Sequence, residues 1–542
     1  MIHPIINVRL HSNRGSIRPW RNIAAIGLTI WVAAHPLQAE PRFFIREFRV
    51  SGATQFSSLE IEETVYPHLG PGRGVVDVEN ARASLEKLYR SRGFQTVSVI
   101  IPNQDPTSGI VRLEVVEGTI DRLRVTGSRY FLPSRIKQEV PALQPGSLPD
   151  FEAVKRQIIA LNRLPDRKVT PELTPGANPG TFDVELKVED RHPLHGSLEL
   201  NNRYSPNTTD LRLNAALSYG NLFQLGHTLG VNVQVAPERS DDALVYSSYY
   251  LARISDRLSL MLQATRQDSD ISTLGGAAVA GRGEIIGIRA LFDLEQQEHF
   301  THNFSLGVDW KSFDEDLSIG GQVGRTPIEY LPLTAGYGAT WMEKDRFTQA
   351  NLTLTANLRG VGSDSSDFDS KRFRSRGSFV TLRGDLSHTR DLSNGSQIFA
   401  KIQGQLSSQP LINTEQFSGG GLSTARGYLE GSALGDHGIF GTLEFRSPSF
   451  FPSGDKDIEP DPWGGAPDEW RIHAFIDAGA LSIMDPLPAQ ASSFSFLSTG
   501  IGTRFQIDRH HHGSIDLAVP FTNVQGTNSG DIRITFRGWA DF

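Results

Sequence analysis

Three stretches of the sequence hold residue types that could do chemistry. The run DRHHHG, Asp508 to Gly513, offers histidine and carboxylate ligands for a metal ion. Consecutive histidines on one loop seldom close a structural site alone, because such sites gather ligands from separated positions. Ser423 stands in GGGLSTARGYLEG, Gly419 to Gly431, but no histidine is assigned to its neighbourhood as the base that a serine nucleophile needs. The same glycines would suit a phosphate loop, yet no Lys-Ser/Thr pair follows them. Cysteine is absent, which excludes thiolate metal sites, cysteine nucleophiles and disulfides. No enzyme activity, cofactor or metal is expected. What remains in the glycine-rich stretch is one cation, Arg426, followed by Gly427 and Tyr428.

An opposite charge stands in WRIHAFIDAGAL, Trp470 to Leu481. Alternation puts Ile472, Ala474, Ile476, Ala478 and Ala480 on one apolar face, and His473, Phe475, Asp477 and Gly479 on the other. Asp477 could be solvated by water inside a channel. Alternatively, the glycine-rich segment folds back and brings Arg426 to Asp477, a reversal that glycines tolerate. The two cases differ in energy: losing one partner costs about 3–5 kcal/mol if the pair is desolvated, and about 0–1 kcal/mol if it is wet.

The elements that would position this pair are strands. From about residue 195 to the end, sixteen alternating segments of roughly ten residues follow one another between turn residues, an even count typical of an outer-membrane barrel. The last segment places Ile532, Ile534, Phe536, Ala540 and the terminal Phe542 on one face. Soluble sandwiches alternate too, so period alone leaves both architectures open. A leader and a chain ending in an aromatic favour the membrane. Residues 1–39 carry four arginines, no acidic residue and the apolar run Ile23 to Ala34, and read as a secretory signal peptide cut after Ala39. That run is too short to span about 30 Å of hydrocarbon. Removing the four arginines takes the net charge from −8 to −12, which argues against nucleic-acid binding.

Sixteen strands enclose an aqueous channel, and the predicted lumen carries both signs: Lys401, Glu444, Arg446, Asp477, Arg504, Asp516, Arg533 and Arg537. With both chain ends periplasmic, the segment from about Ser408 to Asp436, which contains Arg426, is an external loop. Ahead of the barrel, FRVSG (Phe48 to Gly52) returns as LRVTG (Leu123 to Gly127). Helical spacing follows each copy, at Val78, Ala81, Leu85 and Leu88, then at Phe151, Val154, Ile158 and Leu161. The expectation is an α+β periplasmic pair, modules 40–118 and 119–192, before a 16-stranded antiparallel transmembrane β-barrel at 193–542.

ARGY (Ala425 to Tyr428) and FIDAG (Phe475 to Gly479), behind two modules, make the chain resemble the TpsB transporters of two-partner secretion, the ShlB/FhaC/HecB-like family. The resemblance covers essentially all of the mature sequence. It implies two POTRA modules and a barrel whose sixth external loop enters the lumen, Arg426 meeting Asp477 with Gly427, Tyr428, Phe475 and Gly479 in the same lock. It also implies export of a partner exoprotein through an outer membrane. Two departures stand out: Ala425 replaces a branched aliphatic residue, and only EPRF separates the expected cleavage site from the first module, where many members carry a plug helix. The folded-in loop is therefore expected to be the internal obstruction.

Strand addition at a module edge would capture an unfolded secreted polypeptide. The candidate edge is Thr96, Val97, Ser98, Val99, Ile100 and Ile101, although a strand pattern of this kind ordinarily signals plain module core. Outer-membrane lipid and barrel-assembly machinery recognising the strand that ends in Phe542 are the other expected partners. The competing readings are an assembly factor of the BamA/TamA type, which would share the arginine and aspartate, and a diffusion porin with periplasmic appendages.

Overall fold

The duplicated glycine of FRVSG and LRVTG explains itself at atomic scale. Gly52 and Gly127 both have φ of 81°, and a Cβ on either would stand 2.2 Å from a carbonyl oxygen, of Val115 or Val188. Each ends the first strand of a small sheet. The computed structural model describes residues 42–274, 277–319, 322–451, 468–488 and 490–542, so the expected leader lies outside the described residues.

The N-terminal unit ends at Asp190 and holds both modules. In the first, strand Glu47–Ser51 runs parallel to Ile110–Glu117, which pairs antiparallel with Val97–Ile100. Helix Ser58–Val65 starts at a capping box, in which the Ser57 side chain accepts from the Glu60 amide and Glu60 accepts from the Ser57 amide. Helix Val75–Ser91 buries Val78, Ala81, Leu85 and Tyr89 on the sheet. The stripe thus ends on Tyr89 rather than Leu88, because the end of the central strand accepts a ring whose hydroxyl reaches Glu117 at 2.8 Å. The second module repeats the order, with Thr119–Thr126 parallel to Thr181–Asp190 and Arg167–Pro175 antiparallel beside it. An added short pair, Phe43–Ile45 with Gly70–Arg73, occurs only in the first among the described residues. The repeat extends to a polar lock. Glu117 accepts from the backbone of Thr54 and Gln55, and Asp190 accepts from the backbone of Arg129, Tyr130 and Phe131, tying the loop after the first strand to the end of the last.

From Leu194–Asn201 to Arg533–Asp541, sixteen antiparallel strands pair in sequence order, and the last returns to the first between Asp541↔Ser197 and Arg537↔Asn201. The expected sixteen-stranded barrel is therefore the observed one. Its polarity is inverted relative to a soluble protein: Leu198, Leu217, Ile402, Ile439, Ile476 and Ile534 are exposed on the outside, as a lipid-facing band requires. No described helix is long and apolar enough to cross a membrane. One expectation needs correction. Strands five to nine (Leu258–Leu274, Ala277–Asp293, Phe300–Ile319, Gln322–Met342, Arg346–Gly362) run 17 to 21 residues, not ten. Lipid enforces alternation only over the height of the bilayer, so the remainder of a long strand leaves no such pattern.

Candidate functional site

The loop between strand eleven, Gln397–Ser407, and strand twelve, His437–Arg446, does not stand out in solvent. Leu411, Ile412, Phe417, Ala425, Arg426, Tyr428, Leu429 and Ala433 are all buried. The loop re-enters as a short ladder, Phe417–Gly419 with Ala433–Gly435, and carries the arginine at its inner end. Polar anchors hold its two roots. Glu415 accepts from Lys311 Nζ at 2.5 Å and from the Tyr330 hydroxyl at 2.6 Å. Asp436 accepts from the amides of Leu411 and Met484 at 2.8 and 2.7 Å.

Arg426 is the centre of the site. Its Nε and Nη2 donate to Oδ2 and Oδ1 of Asp477 at 2.9 and 3.0 Å, and its backbone amide adds a third bond to Oδ2 at 3.0 Å. Nη1 donates to Glu444 Oε2 at 2.6 Å. The guanidinium carbon lies 3.4 Å from the centroid of the Phe475 ring, so the cation is stacked as well as paired. The side chains of Arg426 and Asp477 are 7 % and 1 % exposed. This burial selects the desolvated case over the wet one.

Neighbouring residues complete the charge balance. The other oxygen of Glu444 accepts from Arg446 Nε at 2.8 Å and Arg504 Nη2 at 2.7 Å. Asp516 lies 3.8 Å from Arg426 and 2.6 Å from His473 Nε2. Small residues on strand fourteen, Ser493–Ile507, leave room for this: a Cβ on Gly500 would meet Phe475 at 2.5 Å, and one on Gly502 would meet both His473 and Asp516 at 2.5 Å.

The rest of the motif is steric. Gly427 has φ of 94°, a left-handed conformation that favours glycine. The ring of Tyr428 packs edge-on against Phe496 at 5.0 Å, and its hydroxyl donates to the Leu497 carbonyl at 3.0 Å and lies 2.6 Å from the Thr522 hydroxyl. A Cβ on Gly479 would stand 2.1 Å from the Phe440 ring. Beyond the motif, Glu430 binds Arg203 Nε at 2.7 Å.

The structure thus brings Arg426, Gly427, Tyr428, Phe475, Asp477 and Gly479 together. Sequence reasoning put Glu444, Arg446, Arg504 and Asp516 on the inner wall but did not join them to Arg426. Alternation assigns a face and not a height; only the strand register, such as Glu444↔Phe475 and Asp477↔Ser498, aligns them. The histidines of DRHHHG serve the barrel end. His510 Nδ1 lies 2.9 Å from the Asp541 carbonyl, and His512 stacks on Trp539 at 4.8 Å. Val97–Ile100 is an edge strand, and its Val97 and Val99 side chains enter the module core.

Residues 180–461, slightly more than half of the chain, match the model of the haemolysin secretion/activation proteins ShlB/FhaC/HecB, and residues 43–118 match the ShlB-type POTRA domain. The chain belongs to this family. The ShlB-type family is one of secretion proteins and not an enzyme class. Among curated relatives, the outer membrane transporter CdiB of Dickeya dadantii is 22% identical over 75% of this chain and 73% of its own. The heme/hemopexin transporter protein HuxB of Haemophilus influenzae is 22% identical over 71% and 69%. The solved CdiB from Escherichia coli shares the fold, with a TM-score of 0.62 at 20% identity over 95% of this chain and 93% of that one. BamA from Haemophilus ducreyi, at 16% identity and a TM-score of 0.55 over 92% and 100%, shares the fold only.

Proposed function

We propose that this ShlB-type protein exports a partner exoprotein across the outer membrane, with its POTRA modules on the periplasmic side and loop 408–436 as a seated obstruction that export must displace. Family membership and the transporter relatives support the export reading. The observation that carries the loop's role is Arg426, buried on Asp477 and Glu444 inside the barrel. A bidentate, stacked and doubly paired arginine holds one arrangement well and resists half-open ones, which suits a loop that is either seated or displaced.

In this reading the modules receive the unfolded partner by strand addition along Thr96–Ile101, whose strand Val97–Ile100 is an edge. The strand ending at Phe542 is the segment that barrel-assembly machinery would recognise. The test is quantitative proteomics of a deletion strain. Loss of one or a few large exported proteins from the supernatant, with other barrels unchanged, supports a dedicated transporter. A broad fall in outer-membrane barrels would make the protein an assembly factor instead.

A further inference from the structure

The two modules present edge strands at matching places, and their edges are finished differently. Register aligns them: Val97 faces Glu117 and Val99 faces Val115, as Arg167 faces Asp190 and Val169 faces Val188. In an antiparallel ladder alternate residues turn their N–H and C=O away from the neighbouring strand. At both edges the outward amide is met by a side chain. Val99 N–H donates to Glu86 Oε1 at 3.1 Å, and Val169 N–H donates to Asn162 Oδ1 at 2.6 Å.

From there the edges diverge. Asn162 also donates from Nδ2 to the Val169 carbonyl at 3.0 Å, so one side-chain amide imitates a paired peptide and takes both groups. The outward amide before it, Arg167 N–H, is bonded to the Leu164 carbonyl at 3.3 Å. The outward position after it is Pro171, which has no N–H to offer. In the first module Glu86 takes only one of the edge's outward groups, the Val99 amide, and none of the described side chains binds the Val99 carbonyl or the Val97 amide. Glu86 also pairs with Arg82 at 2.5 Å and Arg90 at 3.4 Å along helix Val75–Ser91, so leaving the edge strands no charge.

We propose that, of these two matching edges, strand addition takes only that of the first module: an extended segment of the exported polypeptide pairs with Val97–Ile100 by displacing Glu86, while the matching stretch 167–171 is closed to it. This rests on the strand-capture reading above. The occupant is an extended backbone because the Glu86 oxygen sits where the carbonyl of an added strand would, beside groups spaced to continue the ladder. Glu86 acts as a removable guard of an edge that would otherwise pair indiscriminately.

The chain lacks cysteine, so Ser98→Cys and Lys168→Cys, at matching exposed positions, each create a unique thiol. The probe is a synthetic peptide of alternating valine and threonine whose one central cysteine is activated as a 2-thiopyridyl mixed disulfide, so that capture by exchange releases thiopyridone; it is added to the full-length protein in detergent. Disulfide capture is expected at position 98 and not at 168. Glu86→Ala raises capture at 98 roughly tenfold, the scale of removing one charged competitor for an amide. Glu86→Gln, which keeps an oxygen acceptor and the side-chain length, gives an intermediate rise. Asn162→Ala with Pro171→Val brings capture at 168 up to that at 98. Equal capture at both positions in the otherwise unaltered chain overturns the confinement and leaves strand addition standing. Capture unchanged in both Glu86 variants overturns the guard. Capture at neither position, even with Glu86→Ala, overturns strand addition itself.

Discussion

Asp477 receives three hydrogen bonds, and all three come from Arg426. The dependence is one-sided, because Arg426 also holds Glu444 and stacks on Phe475. Arg426→Ala therefore leaves a buried carboxylate with only a backbone amide, whereas Asp477→Ala leaves an arginine that is still paired. Arg426→Ala is expected to destabilise the seated loop by about 3–5 kcal/mol and Asp477→Ala by less. The double variant is expected to be milder than Arg426→Ala alone. Thermal unfolding in detergent and partner secretion measure this, with the barrel still inserted in every case. Equal costs for the two single variants would contradict the asymmetry.

Tyr428→Phe keeps the ring on Phe496 and removes the hydroxyl that joins Leu497 to Thr522. The expected cost is about 1–3 kcal/mol, the price of leaving buried groups unpaired. Limited proteolysis of residues 422–430 in intact outer membranes should show earlier cleavage than in the parent.

Gly479→Ala puts a methyl 2.1 Å from the Phe440 ring, so the ring or the strand must move. Overpacking of this kind costs about 1–3 kcal/mol. Phe440→Leu is expected to restore part of the loss in the double variant, as read by the melting temperature. An unchanged melting temperature in Gly479→Ala would mean that this glycine does not set the packing.

The lock at Glu117 predicts a pH dependence in the first module. Burial opposes ionisation of this carboxyl, but hydrogen bonds from the hydroxyl and amide of Thr54, from Tyr89 and from Gln55 outweigh it and hold the carboxyl below the usual glutamate range. A group depressed in the folded state contributes stability that is present above its unfolded pKa of about 4.3 and is lost as pH falls through the lower folded value. Exchange protection of residues 47–56, corrected for intrinsic rates, should therefore fade below about pH 4. Glu117→Gln should flatten that dependence.

The strands and the module repeat were legible because each leaves a local pattern, whereas the meeting of Arg426 with Asp477 was an implication of the family resemblance. Ile472, Ala474 and Ile476 alternate because lipid touches one side of their strand. Gly52 and Gly127 recur because a carbonyl crowds the same spot in each module. Glu444 and Asp516 were legible as wall and not as partners, since their approach to Arg426 depends on stagger between strands. Asn162 and Glu86 left no pattern at all: one follows a helix end, the other sits within a helix, and only the folded backbone reveals that both cover matching amides.

Strands seven and eight are 20 and 21 residues long. At about 3.4 Å per residue each measures roughly 70 Å, while an apolar band about 25 Å tall crossed at about 45° uses only some 35 Å. Since the two strands meet on the external side, about half of each stands above the bilayer as a one-sided parapet. A polypeptide emerging beside it would begin to fold against protein on one flank and open medium on the other, so the first contacts outside the cell are already asymmetric.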